Sequence, residues 1–380
     1  MRELWNFLPY VFRTARRART RTLLTILGAS LAMALFAFVR TVDKGVEELE
    51  RKAAQPVLVV FQDSRFCPLT SELPARYAPT IREMPGVAEV LPTLVFINSC
   101  RSNLDLVTLH GVEPAHLEDI YDLTMLDGDV AGWKGRTDGA LVGERLAGRR
   151  NAKVGERLRL GEMDVHVAGI FRGQTAGIDN MAFVHLDQLA LARKRLGSTT
   201  QFMVKLAPGA SDEQVARAID DTFRTDESRT DTKTMQAFVK GAIGEITELV
   251  EFGRILGYLA VLVVAVVLAN TVYISAQSRA SEMGVLETIG LTKGRLAGLI
   301  ALEGVGLGFL GGVLGAGAVL LWFTFFPTTL GVEGYGIDFE PYLSVGLQTL
   351  AAALGVGALA SLGPAIEAAR RPLAQAVKEE

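Results

Sequence analysis

Four stretches of the chain stay apolar for about twenty residues at a time, and they set its plan. Thr22–Val39, Ile255–Ser275 and Tyr342–Leu362 hold no charged side chain, and Leu296–Phe325 holds one, Glu303. A helix of about 20 residues crosses the hydrocarbon core of a bilayer. The pattern therefore predicts transmembrane helices over 22–40, 255–275, 296–325 and 342–363. Beyond the first span, Val42, Val46, Leu49 and Ala53 recur at helical spacing. Before the second span, so do Met235, Val239, Ala242, Ile246, Leu249 and Val250. This predicts that both spans continue as amphipathic helices that form a stalk. Helices lying on the membrane surface are the alternative, although neither stretch is basic enough to favour anionic lipid.

Between the stalk segments the period shortens. Pro56–Gln62 reads as a buried strand, and Ser71–Met84 as a helix entered through Ser71. Residues 104–110 alternate in polarity, and 139–142 is a short apolar strand followed by a helix over 144–150. Residues 157–160 and 163–171 form a hairpin turning at Gly161-Glu162. Gln201–Leu206 is another strand, and Ser211 caps a helix through Phe223. Many short strands with few helices predict two small subdomains rather than a wound parallel sheet. The expected fold is thus a membrane protein: four transmembrane α-helices, with a large α+β extracytoplasmic domain (41–254) inserted between helices 1 and 2 on a helical stalk.

Composition agrees with a segregated chain. Of 380 residues, 49% are hydrophobic, yet 21% are charged, and most of the charge lies outside the spans. Lys and Arg flank the spans asymmetrically. Arg13, Arg16, Arg17, Arg19 and Arg21 precede the first, Arg279, Lys293 and Arg295 lie between the second and third, and Arg370, Arg371 and Lys378 follow the fourth. The loop 326–341 has neither residue type. By the positive-inside rule, the N-terminus (1–21), the loop 276–295 and the tail 364–380 are cytoplasmic, and 41–254 with 326–341 lie outside. A cleaved signal peptide would have a shorter apolar core and a small-residue cleavage site. A re-entrant pair is the competing arrangement for the glycine-rich third span. Cys67 and Cys100, the two cysteines, both fall on the outer side, where a disulfide or two buried thiols are open alternatives.

Motif chemistry is sparse. A net charge of −3 gives no reason to expect nucleic acid. The four histidines lack metal-site spacing, and no G-x-x-x-x-G-K-[ST], G-x-S-x-G or H-E-x-x-H run occurs. A catalytic role, a bound metal and a cofactor in this chain are therefore not expected. Gly306-x-Gly308-x-x-Gly311 formally matches a dinucleotide fingerprint but lies inside a span. The four-residue repeat of Gly304, Gly308 and Gly312 instead suits close helix packing in lipid. Glu303 is an ionisable residue within a span; it can snorkel to the interface or pair with Arg279 or Arg295. In the loop after span two, Met283, Leu286 and Ile289 share one helical face, with a stop at Gly290. An amphipathic helix of this kind docks into a partner's groove.

Arg279, Glu282, Met283, Gly284, Val285, Leu286, Ile289 and Gly290, followed by Glu303, closely resemble the coupling segment of MacB/FtsX-type ABC permeases. The entry RTRTLLTILG resembles that family's first span, and Pro364-Ala-Ile-Glu-Ala-Ala-Arg370-Arg-Pro372 its closing signature. His110-Gly-Val-Glu113, Leu126-Asp-Gly128, Ala140-Leu-Val-Gly143, Val154-Gly-Glu-Arg-Leu158 and Val167-Ala-Gly-Ile170 resemble its periplasmic core domain. The resemblance implies a permease subunit of the bacterial inner membrane, which acts as a homodimer or with a close paralogue. ATP-Mg would be bound by a separate cytoplasmic ABC ATPase that grips Arg279–Gly290. Its stroke would move the outer domain, by mechanotransmission, for export or extraction of a lipid, lipoprotein, peptide or drug. A periplasmic adaptor is a further partner it implies, and membrane lipids surround the spans. An FtsX-like non-transporting regulator of a periplasmic cell-wall hydrolase is the alternative.

Overall fold

The computed structural model describes residues 19–64, 70–99, 106–161, 163–326, 328–332 and 335–370. In chain order these begin with α1 (Arg19–Ala53), β1 (Val57–Gln62), β2 (Leu73–Pro74), α2 (Tyr77–Arg82), β3 (Val87–Ser99) and β4 (Leu106–Val112). Next come α3 (Leu117–Ile120), β5 (Thr124–Gly128), α4 (Val130–Lys134), β6 (Gly139–Gly143), α5 (Glu144–Arg150), β7 (Arg157–Leu160) and β8 (Met163–Arg172). Then follow α6 (Ala176–Asp179), β9 (Met181–His185), α7 (Leu186–Ala192), β10 (Ser198–Thr199), β11 (Gln201–Leu206), α8 (Asp212–Thr222) and β12 (Thr230–Thr234). The chain continues with α9 (Met235–Ala242), α10 (Gly244–Gln277), α11 (Ala280–Thr288), α12 (Lys293–Phe325), β13 (Thr328–Val332), β14 (Tyr335–Phe339) and α13 (Leu343–Arg370). Two compact units result. A helical unit holds the chain up to Lys44, Thr247–Thr328 and the chain from Phe339; an α/β unit holds Gly45–Ile246 and Thr329–Asp338.

In the helical unit, α1, α10, α12 and α13 are long and apolar enough to cross a membrane. Their outward faces are apolar, with Leu31, Leu262 and Leu347 exposed, while smaller residues such as Ala29, Ala353 and Ala360 are buried between helices. This inverts the pattern of a soluble bundle and suits lipid as the surrounding solvent. Two polar groups inside pair with each other: the Thr25 hydroxyl hydrogen-bonds that of Thr271 at 3.1 Å.

The α/β unit is built on one ten-stranded sheet of order β12-β1-β11-β3-β4-β9-β6-β8-β5, with β7 pairing β8. The pairs β4–β9 and β6–β8 are parallel and the rest antiparallel. Expected subdomains are therefore joined, because β3–β4–β9 carries the hydrogen-bond ladder without interruption. Three buried clusters pack on it: one around Leu109, Val142 and Val167, one around Val59, Phe171 and Phe183, and one around Leu58, Phe202 and Ile219.

Several local expectations change. The stretch 71–84 is a two-residue strand followed by a helix from Tyr77 only, since Pro74 biases Leu73 toward extended backbone. Ser211 does sit at the start of α8, but its side chain makes no cap hydrogen bond. The helical run expected before span two is broken at Ile243, between α9 and α10; Gly241 and Gly244 flank the break, where helix propensity is lowest. Within the loop 326–341, strands β13 and β14 pair with each other. The fourth helix does not end near residue 363: α13 runs through Pro364 to Arg370. The Cys67–Cys100 pairing lies outside the described residues, as do Arg371, Pro372 and Lys378.

Candidate functional site

The segment between the second and third apolar helices is short and well terminated. Arg279 sits at the N-cap of α11, and Gly290 lies just past its end at φ +103°, backbone that favours glycine. Two hydrogen bonds close that end, Gly290 N–H to Glu287 C=O at 3.1 Å and Leu291 N–H to Leu286 C=O at 3.1 Å. This is a Schellman termination, which accounts for a sharp stop at Gly290. Met283, Leu286 and Ile289, expected on one helical face, differ in exposure. Gly284 is buried, Met283 packs on the helical core and Leu286 is half-buried. Val285 and Ile289, by contrast, are 57% and 73% exposed. Exposed β-branched side chains on a loop helix form an apolar knob, and Glu282 beside them is also exposed.

The first residue of this segment is tied into the adjoining helices. Arg279 Nη2 lies 3.2 Å from Glu303 Oε1 and 3.3 Å from Oε2, and their side chains are 12% and 15% exposed. Ser275 completes the cluster: its hydroxyl donates to Glu303 Oε1 at 2.7 Å and accepts from Arg279 Nη2 at 2.7 Å. Of the two partners foreseen for Glu303, the guanidinium of Arg279 is the one it meets. Ser275 was not foreseen, although its place one turn before Arg279 on α10 could have suggested it. The arrangement neutralises two charges and joins the α10–α11 junction to α12.

Glycines let α12 approach its neighbours closely. A Cβ on Gly304 would lie 2.8 Å from Gly357 O, one on Gly308 2.5 Å from Ala353 O, and one on Gly312 2.6 Å from Ala353 Cβ. These three line one side of α12, against α13. Gly311 and Gly315 line another: a Cβ there would meet Ala29 Cβ at 2.6 Å and Ser30 O at 2.5 Å on α1. A second ionic cluster in the helical unit, absent from the sequence reading, joins α1, α10 and α13. Asp43 accepts from Arg40 at 2.6 Å and from Arg254 at 2.7 Å, and Arg40 also donates to Gln348 at 3.1 Å.

In the α/β unit, tertiary structure gathers one group that sequence spacing did not foresee. Glu89, His116 and Asp119 place their ligand atoms within 4.8 Å of one another. The Glu89 oxygen facing His116 Nδ1 at 3.2 Å also accepts from Arg82 Nε at 3.1 Å. A bound cation would have to displace that guanidinium, so the residues fit an ion-pair network better than a metal centre.

The sequence model of the MacB-like periplasmic core domain matches residues 22–222, and that of the FtsX-like permease C-terminal domain matches 254–373. The chain belongs to the MacB/FtsX-type family of ABC transporter permeases. An uncharacterised ABC transporter permease of Methanocaldococcus jannaschii is 21% identical over 334 residues, covering 82% of each chain. The periplasmic region of MacB from Actinobacillus actinomycetemcomitans aligns with 49% of this permease and 91% of its own length, at 10% identity and a TM-score of 0.39. The extracellular domain of the transporter YknZ from Gram-positive bacteria aligns with 47% and 99%, at 14% identity and a TM-score of 0.36. By its family and its four long apolar helices, this ABC permease is a multi-pass membrane protein and a transporter subunit. Its family implies a cytoplasmic ATPase partner.

Proposed function

We propose that this permease couples ATP hydrolysis on a separate ATPase chain to movement of its α/β unit, which lies outside the bacterial inner membrane while both termini lie inside. The observation that carries the reading is α11: a nine-residue helix that exposes Val285 and Ile289 and is anchored through Arg279 to Glu303 of α12. A partner groove that grips the exposed pair pulls on a segment already fastened to two spans. The force then has stiff elements to follow, since α1 and α10 are unbroken over 35 and 34 residues. Arg279, Glu282, Met283, Gly284, Leu286, Ile289 and Gly290 form the coupling segment. Two copies, or this chain and a close paralogue, sit over the ATPase pair that binds ATP-Mg. The cargo is hydrophobic (a lipid, lipoprotein, peptide or drug), and a periplasmic adaptor receives it.

The test is Ile289→Arg. At 73% exposure, this position tolerates the change without loss of fold. The variant is expected to insert normally but to retain its co-purifying ATPase at least tenfold more weakly and to lose transport-coupled hydrolysis. Wild-type retention and coupling would refute the assignment of α11.

A further inference from the structure

The α/β unit leaves one strand edge open beside a run of cations. β3 is 13 residues long, and β11 covers one of its edges only as far as Thr93, which lies opposite Gln201. Thr200 extends that cover by one step, since its hydroxyl accepts from Val95 N–H at 2.9 Å. In an antiparallel ladder, successive residues of a strand turn their backbone groups to alternate edges. With Val95 N–H turned to the β11 side, Phe96 and Asn98 bond to β4. Ile97 then turns its N–H and C=O to the β11 side, where no strand meets it among the described residues. A groove of about 290 Å³ lies there, lined by Leu94, Val95, Phe96 and Ile97 of β3 together with Arg193 and Arg195. Successive strand side chains point to opposite faces, so this unbroken run shares one space along the strand's edge and not over either face.

We propose that this edge takes up an extended acidic segment of a partner protein as an added antiparallel strand, with carboxylates on alternate residues. An unpaired strand edge is a template for a further strand, and the cations beside it select the guest. Arg193 stacks its guanidinium on Phe96, 3.8 Å from the ring centroid, so a positive charge is held over the face to which Phe96 points. Arg195 Nη2 lies 3.2 Å from Glu72 Oε1, and Lys194 between the two arginines is exposed. The run Arg193-Lys194-Arg195 stays cationic even with Glu72 set against it. The pairing fixes the guest's pattern. The guest residue opposite Ile97 exchanges two backbone bonds with it and points its side chain to the same face as Ile97. Both neighbours of that guest residue point theirs to the face of Phe96 and Arg193. An acidic–apolar–acidic sequence meets both conditions, placing carboxylates where a guanidinium can bind them. The contact lies within the α/β unit and involves neither ATP nor α11, so its test is separate from that of α11.

Methyl NMR on full-length protein in lipid nanodiscs, 13C-labelled at the isoleucine δ-methyl groups, reads the edge through Ile97, with Ile97→Val identifying its signal. The probe is the peptide acetyl-Thr-Glu-Val-Glu-Thr-amide. One control carries N-methylvaline at its centre and so lacks the N–H that would donate to Ile97 C=O; the other replaces both glutamates by lysine. The Ile97 signal is expected to shift saturably with the acidic peptide. Each control is expected to bind about tenfold more weakly, the scale of one lost hydrogen bond or charge contact. Arg193→Glu is expected to reverse the preference between the acidic and the basic peptide. A fixed Ile97 signal, as when another part of this chain covers the edge, would overturn the proposal. Equal affinity for the N-methylated peptide would do the same by removing the strand pairing, and equal affinity for the lysine peptide by removing the charge selection. Should Arg193→Glu fail to fold, the three wild-type titrations still decide.

Discussion

Glu303 and Arg279 illustrate how one residue's environment sets the consequence of losing its partner. Each side chain is mostly withdrawn from solvent, so removing one leaves the other as an unmatched charge, a loss of roughly 3–5 kcal/mol for a buried pair. Arg279→Met is therefore expected to lower the thermal midpoint in nanodiscs markedly. Adding Glu303→Leu should recover much of the loss, because both charges are then gone. Equal midpoints for the single and double variants would remove the pair from the stability account. His110 makes a second prediction, with the sign set by burial. Its folded-state pKa lies near 4 against an ordinary 6.5, so the unfolded chain takes up a proton first as pH falls. The stability conferred by a neutral ring is complete above about pH 6.5 and is lost as pH drops toward 4, amounting to about 3 kcal/mol. Lys52 and Asp122 are the charged residues lining the small cavity beside His110. His110→Leu is expected to flatten the decline between pH 7 and 4.5, measured by near-ultraviolet circular dichroism on heating. A decline as steep as wild type would assign the pH dependence elsewhere.

Among the elements, α12 depends on what its glycines omit. Gly308→Leu places a side chain where the α13 backbone already lies and is expected to separate the two helices, seen as loss of folded protein on extraction. Gly306 has no atom within 4 Å of a would-be Cβ, so Gly306→Ala, which also raises helix propensity by about 1 kcal/mol, should be neutral or stabilising. If both behave alike, close approach is not what the repeat is for. At this scale the sequence was partly legible. The spacing of Gly304, Gly308 and Gly312 pointed to a packing face, because small residues on one side of a helix are visible in one dimension. Which helix meets that face was not, and α1 claimed Gly311 and Gly315 on another. The helix expected from Ser71 begins only at Tyr77, because Pro74 favours extended backbone at the residue before it. The single-residue break at Ile243 left the helical periodicity on both sides intact, so periodicity could not reveal it.

For the molecule as a whole, the orientation of the spans is the claim with the widest reach. Single cysteines introduced into a chain with Cys67 and Cys100 replaced by serine give a direct test. Glu156→Cys, on the exposed surface of the α/β unit, is expected to react with an impermeant maleimide in intact spheroplasts. Ser281→Cys, exposed on α11, should react only after permeabilisation. The reverse pattern would invert the topology and with it the ATPase-facing role of α11.

Sequence alone determined the number of apolar spans, the charge asymmetry beside them and the presence of an inserted α+β region. Each of these depends on side-chain character over a contiguous stretch, which a bilayer reads locally. Tertiary structure alone decided that the strands share one sheet, that Arg279 rather than Arg295 meets Glu303, that Asp43 bridges two arginines, and that His110 is isolated beside a cavity. Those outcomes depend on residues far apart in the chain, brought together by strand pairing and helix packing whose register no local pattern specifies.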